Sequence, residues 1–150
     1  MKITEILKKD CIDLNLKSRD KESVIKELIS LLIKREVVTD KEGFFNSVWE
    51  REKTYTTGIG MGIAIPHGKS RYVKHAAVAF GKSVQGVDFK SLDNKPAHLL
   101  FLIAVPEKSD ELHLKLISAL SRKLMHEEVR KSLYDADTPE KVLEALSKEV

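Results

Sequence analysis

The chain has one cysteine, Cys11, in 150 residues, which excludes an internal disulfide framework and fits a reducing compartment. Cys11 stands beside Ile12 where apolar and polar residues alternate, the setting of a small buried side chain rather than of a reactive thiol. No apolar run approaches the roughly 18 residues of a membrane span, and the opening MKITEILKKD has no apolar signal-peptide region. The expectation is a soluble, cytoplasmic protein with no direct membrane insertion. An excess of one charge is missing too: 26 basic and 23 acidic residues leave a net charge of +3, spread along the chain. That excludes the clustered basic face of a nucleic-acid binder. No repeat, low-complexity tract or linker interrupts the sequence, so the expected organisation is one domain over residues 1–150, with 42% hydrophobic residues to build its core.

What is present reads as a succession of elements. CIDLNL (11–16) alternates like a half-buried strand. Val24, Leu28, Leu31 and Leu32 recur at helical spacing and predict a helix from about Asp20 to Arg35. Thr39-x-x-Glu42 matches a capping box and opens a second helix, with Phe44, Phe45, Val48 and Trp49 on its buried stripe and its end near Arg51 and Glu52. The period then changes. The glycine-rich segment, HAAVAFGKS (75–83) and AHLLFLIAVP (97–106) read as extended strands, the last apolar on both faces and therefore central. SLDNKP (91–96) is turn material. Ser109 is placed to cap a helix carrying Leu112, Leu116, Leu120 and Leu124, and a short helix follows over Glu127 to Tyr134. Thr138-Pro139 joins an N-cap to a proline at the first helical position, ahead of a terminal helix with Val142, Leu143 and Leu146 inward. Helices before and after a largely buried sheet imply an α/β fold: a three-layer sandwich with a mixed sheet of four to five strands and helices on both faces.

The stretch TTGIGMGIAIPHGKS (56–70) holds four of the seven glycines. Glycine is costly to order in a strand, so such a run marks a tight turn or a close approach of backbone. A dinucleotide fingerprint requires G-x-G-x-x-G ahead of a helix; here Gly58, Gly60 and Gly62 alternate and Pro66 follows. A phosphate-binding P-loop fails as well, because Ile63 stands where its leading glycine belongs. His67 lies between a rigid proline and a glycine. It is either a solvated loop histidine or an imidazole displayed among backbone N–H groups, able to attack phosphorus. His113 falls in the first turn of its helix on one face with Ile117, Leu120 and Leu124, which favours a hydrogen-bonded core histidine, although that helix start also suits a phosphoryl group. Arg51 either complements its helix C-terminus or offers its guanidinium to a phosphate. His75, His98 and His126 receive no role, and no cluster has the spacing of a metal site.

REKTYTTGIGMGIAIPHGK resembles the phosphoryl-acceptor signature of the enzyme IIA domains of the bacterial phosphoenolpyruvate-dependent sugar phosphotransferase system, fructose–mannitol type. Glu52, Ile59, Gly60, Ile63, Ala64, Ile65, Pro66, His67 and Gly68 match every position of that pattern. ITEILKKDCIDLNLKSRDKESVIKELISLL is similar to the family's opening strand and helix, and GVDFKSLDNKPAHLLFLIAVPE and LHLKLISALSRKLM to its later regions, the last in its fructose-type form. The resemblance implies that His67 carries a phosphoryl group on Nε2, with His113 supporting and Arg51 clamping the phosphate. It further implies HPr, the small histidine phosphocarrier, as donor, a IIB component with its IIC transporter as acceptor, and no metal, nucleotide or other cofactor. Two related readings share the signature: a nitrogen-type regulator acting by phosphorylation-dependent protein binding, and a non-catalytic binding domain. Met61 stands where many relatives carry a polar residue, which implies a missing site hydrogen bond. Thr54-Tyr55-Thr56 replaces Leu-Gly-Ser, which implies a different rim for partners. Ile59, Met61 and Ile65 are the expected docking patch.

Overall fold

The computed structural model describes residues 2–149; Met1 and Val150, the two ends of the expected 1–150 domain, lie outside the described residues. The elements run α1 (Ile3–Ile6), β1 (Leu7–Asp13), α2 (Lys21–Lys34), α3 (Lys41–Thr54), β2 (Gly58–Gly60), β3 (Ile63–Ala64), β4 (His67–Ser70), β5 (Ala77–Val87), β6 (Ala97–Pro106), α4 (Leu112–Leu124), α5 (Glu127–Asp135) and α6 (Pro139–Ser147). All six strands join one mixed sheet. β6 is its spine, buried at every position but His98 and Pro106, as its unbroken apolar run requires. β5 lies antiparallel along one side of β6, and β1 lies parallel beyond β5.

The other side of β6 positions the site. β3 and β4 both run parallel to it in one register: Ile63 faces Leu99, Ala64 faces Leu100, His67 faces Ile103 and Ser70 faces Pro106. They form one strand interrupted at Ile65-Pro66, because proline has no N–H to give to a ladder. The Ile103 N–H still reaches the Pro66 carbonyl at 3.0 Å, so the pairing resumes at His67. β2 folds back antiparallel on β3. Helices α2 and α3 cover one face, packed on β5 and β4, while α4 and α6, with α1 and α5 beside them, cover the other. The three-layer α/β arrangement is thus the one expected. Among the described residues no helix is long and apolar enough to cross a membrane.

Several local expectations are revised. The glycine segment is a hairpin followed by an interrupted strand rather than one extended run, which raises the strand number from four or five to six. Its turn is Met61-Gly62, with φ of 58° and 77°, the left-handed pair of a type I′ turn. The first strand begins at Leu7 and stops at Asp13; Leu16 leaves the sheet and packs where a side chain on Gly81 would otherwise stand. The cap of α3 is Asp40, whose carboxylate accepts the Gly43 N–H at 3.2 Å, because the Thr39 hydroxyl donates to the Tyr72 carbonyl instead. That helix also runs on to Thr54, and Glu52 is more buried than Trp49. Ser109 does not cap α4: its hydroxyl donates to the Pro106 carbonyl at 2.6 Å and closes the turn before the helix. Asp20 and Thr138 do cap α2 and α6, accepting from Ser23 and Lys141. In α6 the fully inward residues are Val142, Ala145 and Leu146, with Leu143 partly covered. Cys11 is buried beneath Leu31, and burial pushes its thiol up to about 11.

Candidate functional site

Pro66 and the tight packing of β4 against α3 set the place of His67. A Cβ on Gly68 would lie 2.8 Å from a Val48 methyl and 3.0 Å from the Phe44 ring, so only glycine lets the strand approach this closely. His67 is 8% exposed. Its Nδ1 stands 3.1 Å from the Ile65 carbonyl oxygen. A carbonyl only accepts, so Nδ1 carries the proton and donates, leaving the lone pair on Nε2.

His113, in the first turn of α4, brings its ring to 5.9 Å from that of His67, at 29° between the ring planes. Its Nδ1 is buried without a hydrogen-bond partner, an uncommon state for a buried polar atom. Arg51, in the last turn of α3, holds its guanidinium by donating from Nη1 to the Tyr55 carbonyl at 2.7 Å. The three side chains expected at a phosphoryl site line one groove of about 530 Å³. His75, His98 and His126 lie outside that groove, bonded or paired with Ala76, Ser83 and Glu128 respectively.

Charge in the groove favours neutral rings. Burial lowers the affinity of His67 for a proton below the ordinary histidine value; the bond to Ile65 opposes this, and the positive charge of Arg51 and the neighbouring His113 add to it. His113 is lowered by burial and then by the Lys69 ammonium, against the pull of Glu111. At neutral pH the groove therefore presents a nucleophilic nitrogen beside a ring with an unused polar atom and a guanidinium. That set suits attack on phosphorus and stabilisation of its oxygens.

Lys69, Leu92 and Leu114, to which no sequence pattern assigned a site role, also line the groove, as do Tyr55 of the expected rim and Ile117 on the His113 face. Tyr55, Leu92 and Leu114 are 62%, 55% and 49% exposed and make its rim apolar. Ile59 and Ile65 of the expected docking patch line the groove, but Met61 does not. Met61 projects from the hairpin turn, and its backbone N–H donates to Asp93 at 3.1 Å. Nor was the partner of Glu52 visible: this buried carboxylate pairs with Lys21 at 2.9 Å and accepts the N–H and hydroxyl of Thr57 at 2.8 and 2.6 Å. Residue 21 lies 31 positions away, and no local pattern links the two.

Comparison with known proteins adds independent findings. The family model described as "Phosphoenolpyruvate-dependent sugar phosphotransferase system, EIIA 2" matches residues 5–149. The chain is 44% identical over 147 residues to the PTS system fructose-specific EIIABC component of Bacillus subtilis, covering 98% of this chain and 23% of that protein. It is 41% identical over 148 residues to the PTS system fructose-specific EIIA component of Haloferax volcanii, covering 99% and 96%. The structure of nitrogen regulatory protein IIA-Ntr from Neisseria meningitidis superimposes with a TM-score of 0.89 at 35% identity, over 97% of this chain and 99% of that one. Escherichia coli enzyme IIA-Mtl, solved in complex with phosphorylated enzyme IIB-Mtl, superimposes at 0.81 and 28% identity, over 95% and 99%.

Proposed function

The chain belongs to the EIIA type-2 family of the phosphoenolpyruvate-dependent sugar phosphotransferase system, and we propose that it is a fructose-type phosphocarrier whose acceptor is His67. The Nε2 lone pair of His67 forms a bond to phosphorus as the bond from phosphorus to the phosphohistidine nitrogen of HPr breaks. In the second half-reaction the phosphoryl group leaves Nε2 for a IIB component, which serves uptake and phosphorylation of the sugar through IIC. The observation that carries this reading is the Nδ1 bond to the Ile65 carbonyl, which leaves Nε2 as the free nucleophile at the floor of an open groove.

Phosphoryl transfer through a loose, in-line transition state needs positioning and charge stabilisation more than covalent help. Arg51 would clamp the equatorial oxygens with its guanidinium. His113, whose ring lies 5.9 Å from that of His67, would donate to one of them. The names of the relatives support a fructose-type transporter, and the complex with phosphorylated IIB-Mtl supports IIB as the acceptor. The work is placed in the cytoplasm, where HPr delivers the group. A second reading, a nitrogen-type regulator, is favoured by the fit to IIA-Ntr.

One experiment separates these. Incubation with phosphoenolpyruvate, enzyme I and HPr should add one acid-labile, alkali-stable phosphoryl group on His67, which then passes to a fructose-type IIB. A label on another histidine, or none, overturns the acceptor. A label on His67 that no IIB accepts moves the chain to the regulatory reading.

A further inference from the structure

A chain of hydrogen bonds joins an ion pair between α2 and α3 to the ring of His67. It begins at Lys21, whose ammonium is 2.9 Å from Glu52 Oε2 and donates to the Thr56 hydroxyl at 3.2 Å; the side chains of the pair are 14% and 2% exposed. Glu52 accepts the Thr57 N–H on Oε2 and the Thr57 hydroxyl on Oε1. The Thr57 carbonyl in turn accepts the Ile65 N–H at 3.0 Å. The other end of that same residue, the Ile65 carbonyl, accepts from His67 Nδ1 at 3.1 Å.

We propose that Glu52, held by Lys21, is a positioning residue that acts through Thr57 and Ile65 to set the tautomer and aim of His67. The proposal rests on the reading of His67 as the phosphoryl acceptor and extends it to residues that never touch phosphorus. The physical case is as follows. Ile65 and Pro66 interrupt the strand where backbone would otherwise be held by a ladder on both sides. On one side the Ile103 N–H of β6 still donates to the Pro66 carbonyl; on the other, the Thr57 carbonyl accepts the Ile65 N–H. Thr57 is held by a carboxylate with both oxygens engaged, a charge-assisted pair of bonds stronger than neutral ones. An imidazole left to itself prefers its proton on Nε2, the nitrogen that must attack. The carbonyl of Ile65 reverses that preference only while it faces Nδ1, and the Thr57–Glu52–Lys21 unit holds it there. A burial of this kind is maintained at a cost in desolvation, which a purely structural site would more cheaply fill with apolar side chains.

The test compares Glu52→Gln, Thr57→Val and Thr57→Ser with the wild-type protein. Two readouts are taken: the nitrogen-15 shifts of the His67 ring in the unphosphorylated protein, and the kcat and KM of transfer from phospho-HPr. In Glu52→Gln and Thr57→Val the His67 signals should move from a single Nδ1–H tautomer to a mixture, and kcat should fall roughly tenfold to a hundredfold, as small misplacements of a reacting group do, with KM little changed. Thr57→Ser keeps the hydroxyl and should restore both. If Glu52→Gln does not fold, Thr57→Val, which keeps the ion pair, decides. Folded variants with the wild-type tautomer and wild-type kcat overturn the proposal. So does a fall in kcat with the tautomer unchanged. A wild-type protein that takes no phosphoryl group counts against the acceptor reading alone, and the tautomer comparison then judges the tether by itself.

Discussion

A histidine that attacks phosphorus must be neutral, and the surroundings of His67 act on that requirement. Burial lowers its proton affinity and the nearby Arg51 charge adds to the effect. The free imidazole titrates at about 6.5, so the acid limb of the rate of phosphoryl acceptance should lie below that value. Removing the guanidinium removes one positive charge that disfavours imidazolium; in Arg51→Ala the limb should therefore move up in pH, while the plateau falls. A pH–rate profile of the first half-reaction for the two proteins checks both the position and the direction. The two histidines should also differ in kind. His67→Ala should take no phosphoryl group at any time, whereas His113→Ala should still label, slower by about 10²–10³ as for loss of one preorganised donor, in rapid-quench measurements. At this scale the sequence was informative where chemistry is local. Pro66-His67-Gly68 alone left His67 open between a loop histidine and a displayed imidazole, and the wider run from Glu52 to Gly68 carried the resemblance to a phosphoryl-acceptor signature. The pairing of Glu52 with Lys21 was invisible because it depends on α2 and α3 packing side by side, which no spacing encodes.

Among the elements, the β2–β3 hairpin explains why glycines alternate in the motif. Gly60 and Gly62 have φ of 95° and 77°, and Met61 between them has 58°. Gly58 and Gly68 serve the other use of glycine, close approach, to Ser91 and to Val48. Alternation over a few residues looks like a strand, and only the left-handed conformations, which sequence does not print, turn it into a two-residue hairpin. Met61 is the one residue of the three with a side chain that disfavours its conformation. Met61→Asn should raise stability by about 0.5–1 kcal/mol, seen as a higher urea midpoint at unchanged slope. Phosphoryl transfer should not change, since Met61 does not line the groove. Gly68→Ala should act oppositely. Its new methyl meets Val48 and Phe44 within 3.0 Å, and overpacking of this kind costs typically about 1–3 kcal/mol. The long amphipathic helices and the apolar β6 were legible because their periods persist over many residues. The caps of α3 and α4 were not, since hydrogen bonds to the Tyr72 and Pro106 carbonyls claim the hydroxyls of Thr39 and Ser109.

On the scale of the whole molecule, the sheet order brings the end of α3, the start of β4 and the start of α4 to one groove, and that convergence decides what can reach His67. His67 is recessed at 8% exposure, yet Tyr55, Leu92 and Leu114 stand well out of the surface around it. A small substrate needs walls; a shallow apolar rim around a recessed nitrogen suits a protein donor that lays its own phosphohistidine into the centre. Binding and chemistry should then separate. Leu92→Ala and Leu114→Ala truncate exposed apolar side chains that form no part of the hydrogen bonds holding the imidazole and the guanidinium, so thermal stability should stay near wild type. Each should raise the KM for phospho-HPr by roughly threefold to tenfold, in line with truncation of apolar interface anchors, and leave kcat unchanged, the signature of lost uniform binding. A small phosphoryl donor such as phosphoramidate, which needs no rim, should label both variants at the wild-type rate. Equal loss with the small donor would mean that these leucines shape the reacting centre itself, and the rim would no longer be where the donor protein docks.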